Sequence, residues 1–180
     1  MDALPERYRP GIGLRPGGER PDLEPLVRSL YAGLYESVAA HSRLGIDVVV
    51  DVGHHDWYSR PLGILPDAAR RLDGLPAFLV GVRCEIGEIL RRRSAAPRGR
   101  YDTSEQAGGG AEPEPVRRWQ DAAHRPGIYD LEVDTTGRSP AECAAAIRWH
   151  LDHTTPTAFT RLAALTESSR PRGSRGSSGT

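Results

Sequence analysis

The chain has 180 residues, and its 24 Arg and Lys residues balance its 24 Asp and Glu residues, so the formal net charge is zero. This balance argues against nucleic acid as the default partner, because phosphate backbones usually call for a basic excess. The length suits one α/β domain of ordinary size. No lysine occurs in the sequence, so no lysine of these 180 residues can bind a phosphate.

Cysteine usage and hydropathy indicate a soluble protein. Cys84 and Cys143 follow neither a metal-site spacing nor the pattern of a secreted disulfide scaffold, so we expect reduced thiols. The sequence shows no signal-peptide apolar region and no apolar run long enough to span a bilayer. We therefore expect a cytoplasmic protein with no membrane partner.

The first predicted elements are a helix and a strand. Residues 1–20 are rich in Pro and Gly and lack periodicity, so they read as a loop. Residues 22–43 carry apolar residues at three- and four-residue steps, which predicts a helix capped by Asp22. Residues 45–52 are apolar, β-branched and too short for an ordinary helix, which predicts a buried strand ending at Asp51.

A second strand of the same kind is predicted over residues 77–82, after a helix at 61–72 that is broken or reset near Pro66. Such runs suit a parallel sheet covered by helices, in which ligands bind at the carboxyl ends of the strands. Asp51 and Arg83 stand at those ends. His54 and His55 follow the first strand, and we interpret them as part of a polar loop beside an active site rather than as a metal site, because adjacent side chains of an extended segment point apart.

Arginines flank a break in composition. A helix over 85–93 ends in three arginines, residues 94–115 form a flexible insertion, and a helix over 116–124 carries two more. The arginines concerned are Arg91, Arg92, Arg93, Arg117 and Arg118. From the pattern alone, a mobile loop that closes over a polyphosphate and a solvated linker are equally good interpretations.

The last predicted elements are a strand and a helix. Residues 129–136 alternate apolar and acidic residues, which fits a strand nearer the sheet edge. Ser139, Pro140 and Glu142 form a helix start, with Ser as cap and Glu three residues later. The α/β domain thus spans 1–166, and the Ser-, Arg- and Gly-rich residues 167–180 read as a disordered tail.

Several of these segments together resemble the chloramphenicol phosphotransferase family, small ATP-dependent kinases of P-loop architecture. The matching pieces are Val48-Val49-Val50-Asp51, Val80-Gly81-Val82-Arg83-Cys84, Arg118-Trp119-Gln120 with His124, Tyr129-Asp130-Leu131-Glu132-Val133-Asp134-Thr135-Thr136 and Ser139-Pro140-Ala141-Glu142-Cys143-Ala144. Their order and spacing agree with the family apart from the insertion between Arg93 and Val116.

The resemblance implies transfer of the γ-phosphoryl of ATP to a hydroxyl of a small acceptor, with ATP and Mg²⁺ as cofactors. It implies that Asp2 is the catalytic base and that Asp51 acts on Mg²⁺ through water. It also implies that nucleotide phosphates meet arginines among Arg91, Arg92, Arg93, Arg117 and Arg118, and that Asp134, Thr135 and Thr136 form a turn near the adenine. The acceptor and the oligomeric state stay open.

Besides this insertion, the sequence departs from the family at its nucleotide site. The family's nucleotide site begins with a strand and a GxxxxGK[ST] loop, and neither that loop nor any Lys occurs here. The family's strand is the middle one of its sheet, so we expect an incomplete P-loop-kinase-like parallel sheet, with the strands around Val49 and Val80 facing a gap. As given, the chain is expected to be inactive and poorly stable.

Three explanations are open at this point. The chain is a kinase whose start lies upstream of Met1, a non-catalytic remnant of such a kinase, or an unrelated α/β module that binds a small molecule.

Overall fold

The computed structural model describes residues 21–56, 58–95 and 114–168. The catalytic residue implied by the family resemblance, Asp2, lies outside these ranges, as do residues 96–113 of the predicted insertion and 169–180 of the predicted tail. The helices and strands are α1 (Glu24–Arg43), α2 (Ile64–Arg71), β1 (Val80–Arg83), α3 (Ile86–Ser94), α4 (Glu114–Ala123), β2 (Leu131–Asp134), α5 (Pro140–His153) and α6 (Ala158–Ser168). Among the helices of the described ranges, none has the length and apolar character needed to cross a bilayer.

Strands β1 and β2 form a parallel pair in which Val82 lies opposite Val133 and Arg83 opposite Asp134. Parallel pairing of strands that are far apart in sequence requires a crossover, and α3 and α4 lie between these two strands. The predicted α/β class, with a parallel sheet and flanking helices, is confirmed. Within the described ranges the sheet contains these two strands.

The predicted strand over residues 45–52 is wrong, because none of these residues lies in a strand. The segment is anchored near both ends: the Ile46 N–H donates to the His41 carbonyl (3.0 Å), and the Tyr31 hydroxyl donates to the Gly53 carbonyl (3.4 Å). Between these anchors Val49 is 98% exposed. β-Branched residues favour extended backbone, but a strand also needs a neighbour for its N–H and C=O groups, and no described strand pairs with this segment.

Two helix starts differ from the predicted ones. A short 3₁₀ turn, Pro21–Leu23, precedes α1, and Leu23 occupies the N-cap position without a side-chain hydrogen bond. Capping by Asp22 is therefore wrong. Helix α2 begins at Ile64, so Pro66 lies in its first turn, where the missing N–H leaves no helix hydrogen bond unmade. No break near Pro66 is needed.

The predicted start of α5 is confirmed in detail. The Glu142 N–H donates to Ser139 Oγ (3.3 Å), and the Ser139 N–H donates to a carboxylate oxygen of Glu142 (2.8 Å). The two residues thus satisfy each other's backbone donors, as in a capping box.

The main core lies between helices α1, α2 and α6. Its buried side chains are Tyr35, Ala39, Ala68, Ala69, Leu72, Phe159 and Leu162. Leu79, just before β1, packs against this cluster. The sequence interpretation did not include α6, which extends through Ser168 and so takes Glu167 and Ser168 out of the predicted disordered tail.

The carboxylate of Asp130 joins the sheet to α6. One of its oxygens accepts the Leu79 N–H (2.9 Å), and the other accepts the N–H groups of Thr157 (2.6 Å) and Ala158 (2.9 Å). The acid therefore fixes the entry of both strands and satisfies a free donor at the start of α6.

Candidate functional site

The turn after β2 is fastened to the residues that follow β1. The Arg83 carbonyl accepts both the Thr135 N–H (2.8 Å) and the Thr135 hydroxyl (3.0 Å). The Glu85 N–H donates to the Thr136 hydroxyl (2.9 Å). These bonds bring the polar residues of two predicted site segments to one edge of the sheet, where its strands end.

Asp134 shapes this turn. One carboxylate oxygen accepts the hydroxyl of Thr136 (2.6 Å) and its N–H (2.8 Å). Hydrogen bonding from the hydroxyl, and then from the N–H, lowers the pKa of Asp134 below its ordinary value. The turn therefore keeps a negative charge at neutral pH.

Among the predicted phosphate-binding arginines, Arg92 contacts this turn. Its guanidinium donates to the Thr135 carbonyl (2.6 Å) and to the Thr135 hydroxyl (3.3 Å). Arg92 and Arg91 both bind the carboxylate of Glu88, and their hydrogen bonds, Arg91's first, lower the pKa of Glu88 to about 2. Glu88 thus holds the last turn of α3 in a fixed arrangement, with Arg92 directed at Thr135.

For the other predicted site residues the structure gives a position on an element rather than a bond to this turn. Arg93 is on α3, and Arg117 and Arg118 are on α4. Asp51 is exposed in the extended segment after α1, and no described contact joins it to the turn. The structure therefore brings together Arg92 with residues 134–136, and leaves the suggested magnesium ligand outside this group.

A second polar group lies at the same sheet; the sequence pointed to Arg83 at the end of its strand, but not to the partners of its side chain. Arg83 pairs with Glu132 on the neighbouring strand (2.7 Å), and its guanidinium lies 5.9 Å from the Tyr129 ring centroid. The Tyr129 hydroxyl is 2.8 Å from His124 Nδ1. A Cβ at Gly81 would lie 2.7 Å from the Tyr129 ring, so the glycine makes room for that ring. These side-chain contacts depend on the register with β1 and could not be read from the alternation over 129–134.

The two adjacent histidines lie in an aromatic cluster. His54 Nε2 bonds to the Tyr35 hydroxyl, and burial lowers the pKa of His54 to about 4. His55 stacks on Tyr58 at 4.4 Å and meets the edge of Trp119 at 5.4 Å. The two rings thus have separate neighbours, which is consistent with adjacent residues of an extended segment.

His54 is neutral at pH 7 and serves as a packed hydrogen-bond partner. In the described ranges there is no group of three or more His, Cys, Asp and Glu residues able to hold a metal ion. The acid implied for the magnesium ion, Asp51, lies outside this polar turn, and the Asp134 oxygen described above is already bonded twice to Thr136.

For the implied nucleotide, the residues present fit one part of it. Arg92 lies near the ends of the strands, and nearly half of its side chain is exposed, so its positive charge is accessible to a phosphate. The turn after β2, to which Arg92 is bonded, presents polar groups beside it. The 180 residues supply no lysine and no GxxxxGK[ST] loop to surround the β- and γ-phosphates.

One of the three comparisons with known proteins gives a match, and that match agrees with the α/β fold. No curated protein and no solved structure gives a match. A family model described as chloramphenicol phosphotransferase-like protein matches residues 1–152. This stretch runs from the beginning of the sequence to the last turn of α5 and includes both strands, α3, α4 and the polar turn. The chain belongs to the chloramphenicol phosphotransferase-like family.

Proposed function

We propose that this protein is a small-molecule kinase that transfers the γ-phosphoryl group of ATP to a hydroxyl of its acceptor. The observation that carries the proposal is the family match over residues 1–152. Membership in the family leaves two of the explanations, the kinase and its non-catalytic remnant. The polar edge at the ends of β1 and β2 supports the kinase, because α/β proteins bind ligands there.

The proposal divides the predicted residues among four roles. Asp2 accepts the proton of the attacking hydroxyl, and Asp51 orients water on Mg²⁺. Bound Mg²⁺ would neutralise charge on the transferred phosphoryl group. Asp134, Thr135 and Thr136 support the base of the nucleotide. Arg91, Arg92, Arg93, Arg117 and Arg118 are the candidates for phosphate binding.

Arg92 is the arginine that the described contacts favour for this role. It bonds to Thr135 in the turn proposed to hold the base, so the same residue connects the last turn of α3 to the nucleotide end of the site. A guanidinium placed in this way can bind a phosphate oxygen without losing the order that Glu88 imposes on it.

The test has two stages, the first on the 180-residue chain. Without a glycine loop and a lysine, this chain should show no thermal shift with Mg-ATP, and a rise of several degrees in Tm would contradict this assignment of the nucleotide site. In the second stage, a strand and GxxxxGK[ST] loop from a family relative is joined in front of Met1. The joined protein should phosphorylate hydroxyl compounds, with chloramphenicol tried first.

The role of Asp2 is tested in the joined protein. Asp2→Asn should remove phosphoryl transfer and leave the affinity for Mg-ATP unchanged, because an amide cannot accept the proton but keeps the same shape. Asp22→Asn is the matched control, since Asp22 is an acid near the same end of the chain without an assigned role. Equal turnover in both variants would remove Asp2 from the role of base.

A non-catalytic member of the family is the second candidate, and the Gly- and Pro-rich insertion between Arg93 and Val116 favours it. It predicts that the joined protein binds Mg-ATP and still transfers no phosphoryl group to any hydroxyl compound. Hydrolysis of ATP without transfer would instead indicate a working nucleotide site with the wrong acceptor.

A further inference from the structure

Helix α4 packs against the segment that follows Asp51 through the ring of Trp119. A Cβ at Gly53 would lie 2.8 Å from Cζ2 of that ring, so the indole lies directly against the Gly53 backbone. His55 meets the same ring edge-on, with 5.4 Å between the ring centroids. Gly53 is itself held from α1, because its carbonyl accepts the Tyr31 hydroxyl (3.4 Å). The middle of α4 is therefore fixed to a point two residues after Asp51.

The side chain of Asp51 belongs to the same side of this segment. Residues two apart in an extended segment direct their side chains to the same face. The Cβ position of Gly53 faces the ring of Trp119. The side chain of Asp51, two residues earlier, is therefore expected to face α4 as well.

The two neighbouring arginines of α4 lie on different faces of the helix. Arg118 is half-buried, and Ala122, one turn later on its face, is 3% exposed. Arg117 and Asp121, one turn apart on another face, are both exposed. Successive residues of an α-helix are about 100° apart, so Arg118 lies on the flank of Trp119 and Arg117 lies almost opposite Trp119.

We propose that Arg118 binds the transferred phosphoryl group beside Asp51, and that Trp119 positions Arg118 by packing on the backbone after Asp51. This inference rests on the proposed function and divides the candidate arginines between the two ends of the nucleotide. Arg92, bonded to Thr135, serves the end near the base. Arg118 serves the γ-phosphoryl end, where its planar guanidinium can donate to phosphate oxygens.

Arg118 acts in this proposal at the place where charge moves during the transfer. The bond between the γ-phosphorus and the oxygen that leaves with ADP breaks, the acceptor oxygen bonds to the phosphorus, and the hydroxyl proton passes to Asp2. Negative charge is spread over the oxygens of the transferred group and the leaving oxygen. A guanidinium that is already held in place stabilises this charge without having to reorganise.

The first experiment measures the placement of Arg118 in the 180-residue chain without nucleotide. A nitroxide is attached at Asp51→Cys, with Cys84→Ser in the same chain, and the remaining thiol, Cys143, is buried. The label broadens the NMR signals of nearby protons, including the δ-methylene protons of arginine side chains. The signals of Arg118 should be broadened more strongly than those of Arg117, its neighbour on the same helix. Equal or weaker broadening of Arg118 would overturn the placement.

Positioning by Trp119 is tested in the same labelled chain. Gly53→Ala adds a methyl group that meets the ring, so α4 should shift and the broadening of Arg118 should fall. Gly33→Ala is the matched control, because an added Cβ there has open space around it, and the broadening should stay. Circular dichroism checks that both variants fold, and Trp119→Ala removes the ring if Gly53→Ala does not fold. Unchanged broadening when the ring is displaced or removed would remove Trp119 from the positioning role.

The second experiment measures kinetics in the joined protein. Arg118→Ala should lower kcat by about 10³-fold and change the KM for ATP little, because the contact strengthens as charge develops on the transferred group. Arg148→Ala is the matched control, since Arg148 is exposed on α5 and has no assigned role, and its kcat should equal that of the unsubstituted joined protein. Equal kcat in the two variants would overturn the role of Arg118 and leave the kinase proposal standing.

Failure of the proposed function has a different signature. A joined protein that transfers no phosphoryl group before any substitution would contradict the kinase proposal, and with it the role of Arg118 in transfer. The broadening in the 180-residue chain needs no activity, so it decides the placement of Arg118 beside residue 51 in either case.

Discussion

Apolar residues are buried on the helical side of the molecule and largely exposed on its sheet side. Helices α1, α2 and α6 enclose a core in which Ala39 and Ala68 have no exposed surface. On the sheet side, Val49 and Val82 are largely exposed although their segments have the composition of buried strands. Helices complete their own backbone hydrogen bonds, whereas a strand depends on a neighbour, and in the described part of the chain two strands pair only with each other. We therefore expect stability to come mainly from the helical side.

The largest effect should come from truncating one aromatic residue of the helical core, compared with one on α5, the helix that packs against β2 on the sheet side. Phe159 is buried in the helical core, so Phe159→Ala should lower the free energy of unfolding by about 3–5 kcal/mol. Trp149→Ala removes a larger ring from the exposed face of α5, where its described contact is stacking on His153, and should cost less than about 1 kcal/mol.

Urea unfolding measures both variants. Circular dichroism would show whether Phe159→Ala still folds, and Phe159→Leu provides a milder replacement if it does not. A larger loss for Trp149→Ala than for either Phe159 variant would show that the sheet side carries the stability.

The next effect depends on pH and belongs to the buried His54. Burial lowers its pKa from 6.5 in the unfolded chain to about 4 in the folded one, so the unfolded state binds a proton first as the pH falls. The stability from the neutral ring is complete above pH 6.5 and is lost between about pH 6.5 and 4, by up to about 3 kcal/mol.

His54→Gln should flatten the fall in stability over this pH window, because glutamine does not titrate and can still bond to Tyr35. His153→Gln, which changes an exposed histidine of α5, should leave the slope unchanged. Urea unfolding at several values of pH gives the slope directly. His55 also has a pKa lowered by burial, so part of the slope should remain in His54→Gln. An unchanged slope would show that the ring of His54 becomes protonated in the folded protein.

A third effect concerns the connection between the two sides. Asp130→Ala removes the acceptor of the Leu79, Thr157 and Ala158 N–H groups and should cost about 2–3 kcal/mol. Asp121→Ala is the control, since it removes an acid from the surface of α4. Thermal unfolding measures both, and equal losses would mean that water replaces Asp130 at little cost.

The sequence predicted elements whose signals are local and failed where a partner was needed. The capping box of Ser139 and Glu142 is complete within four residues, so its prediction was confirmed. Strand β2 was predicted from the alternation of apolar and acidic residues, and it pairs with β1 in the structure. Residues 45–52 have a stronger β-branched signal than β2, yet they form no strand, because composition cannot supply a neighbouring backbone.

The candidate site divides in the same way. The family resemblance implied five candidate arginines and residues 134–136, and the structure joins one of these arginines, Arg92, to Thr135. The pairing of Arg83 with Glu132 and the ring of Tyr129 over Gly81 could not be read from the sequence, because both follow from the register of two strands about fifty residues apart. The roles of Asp2 and Asp51 stay predictions.

The smallest effect should separate two neighbouring arginines. Arg91 and Arg92 both bind Glu88, but of the two it is Arg92 that also bonds to Thr135. Because these pairs are exposed, either substitution by alanine should leave the free energy of unfolding nearly unchanged. The difference should appear locally.

Arg92→Ala releases the Thr135 carbonyl and hydroxyl, so the Thr135 N–H, which is bonded to Arg83, should exchange with deuterium several-fold faster. Arg91→Ala should leave that exchange at the wild-type rate, since it removes a bond to Glu88 and none to the turn. Equal exchange in both variants would mean that the bonds to Arg83 and Glu85 hold the turn without help from α3, and Arg92 would then lose its structural advantage over the other arginines as the phosphate ligand.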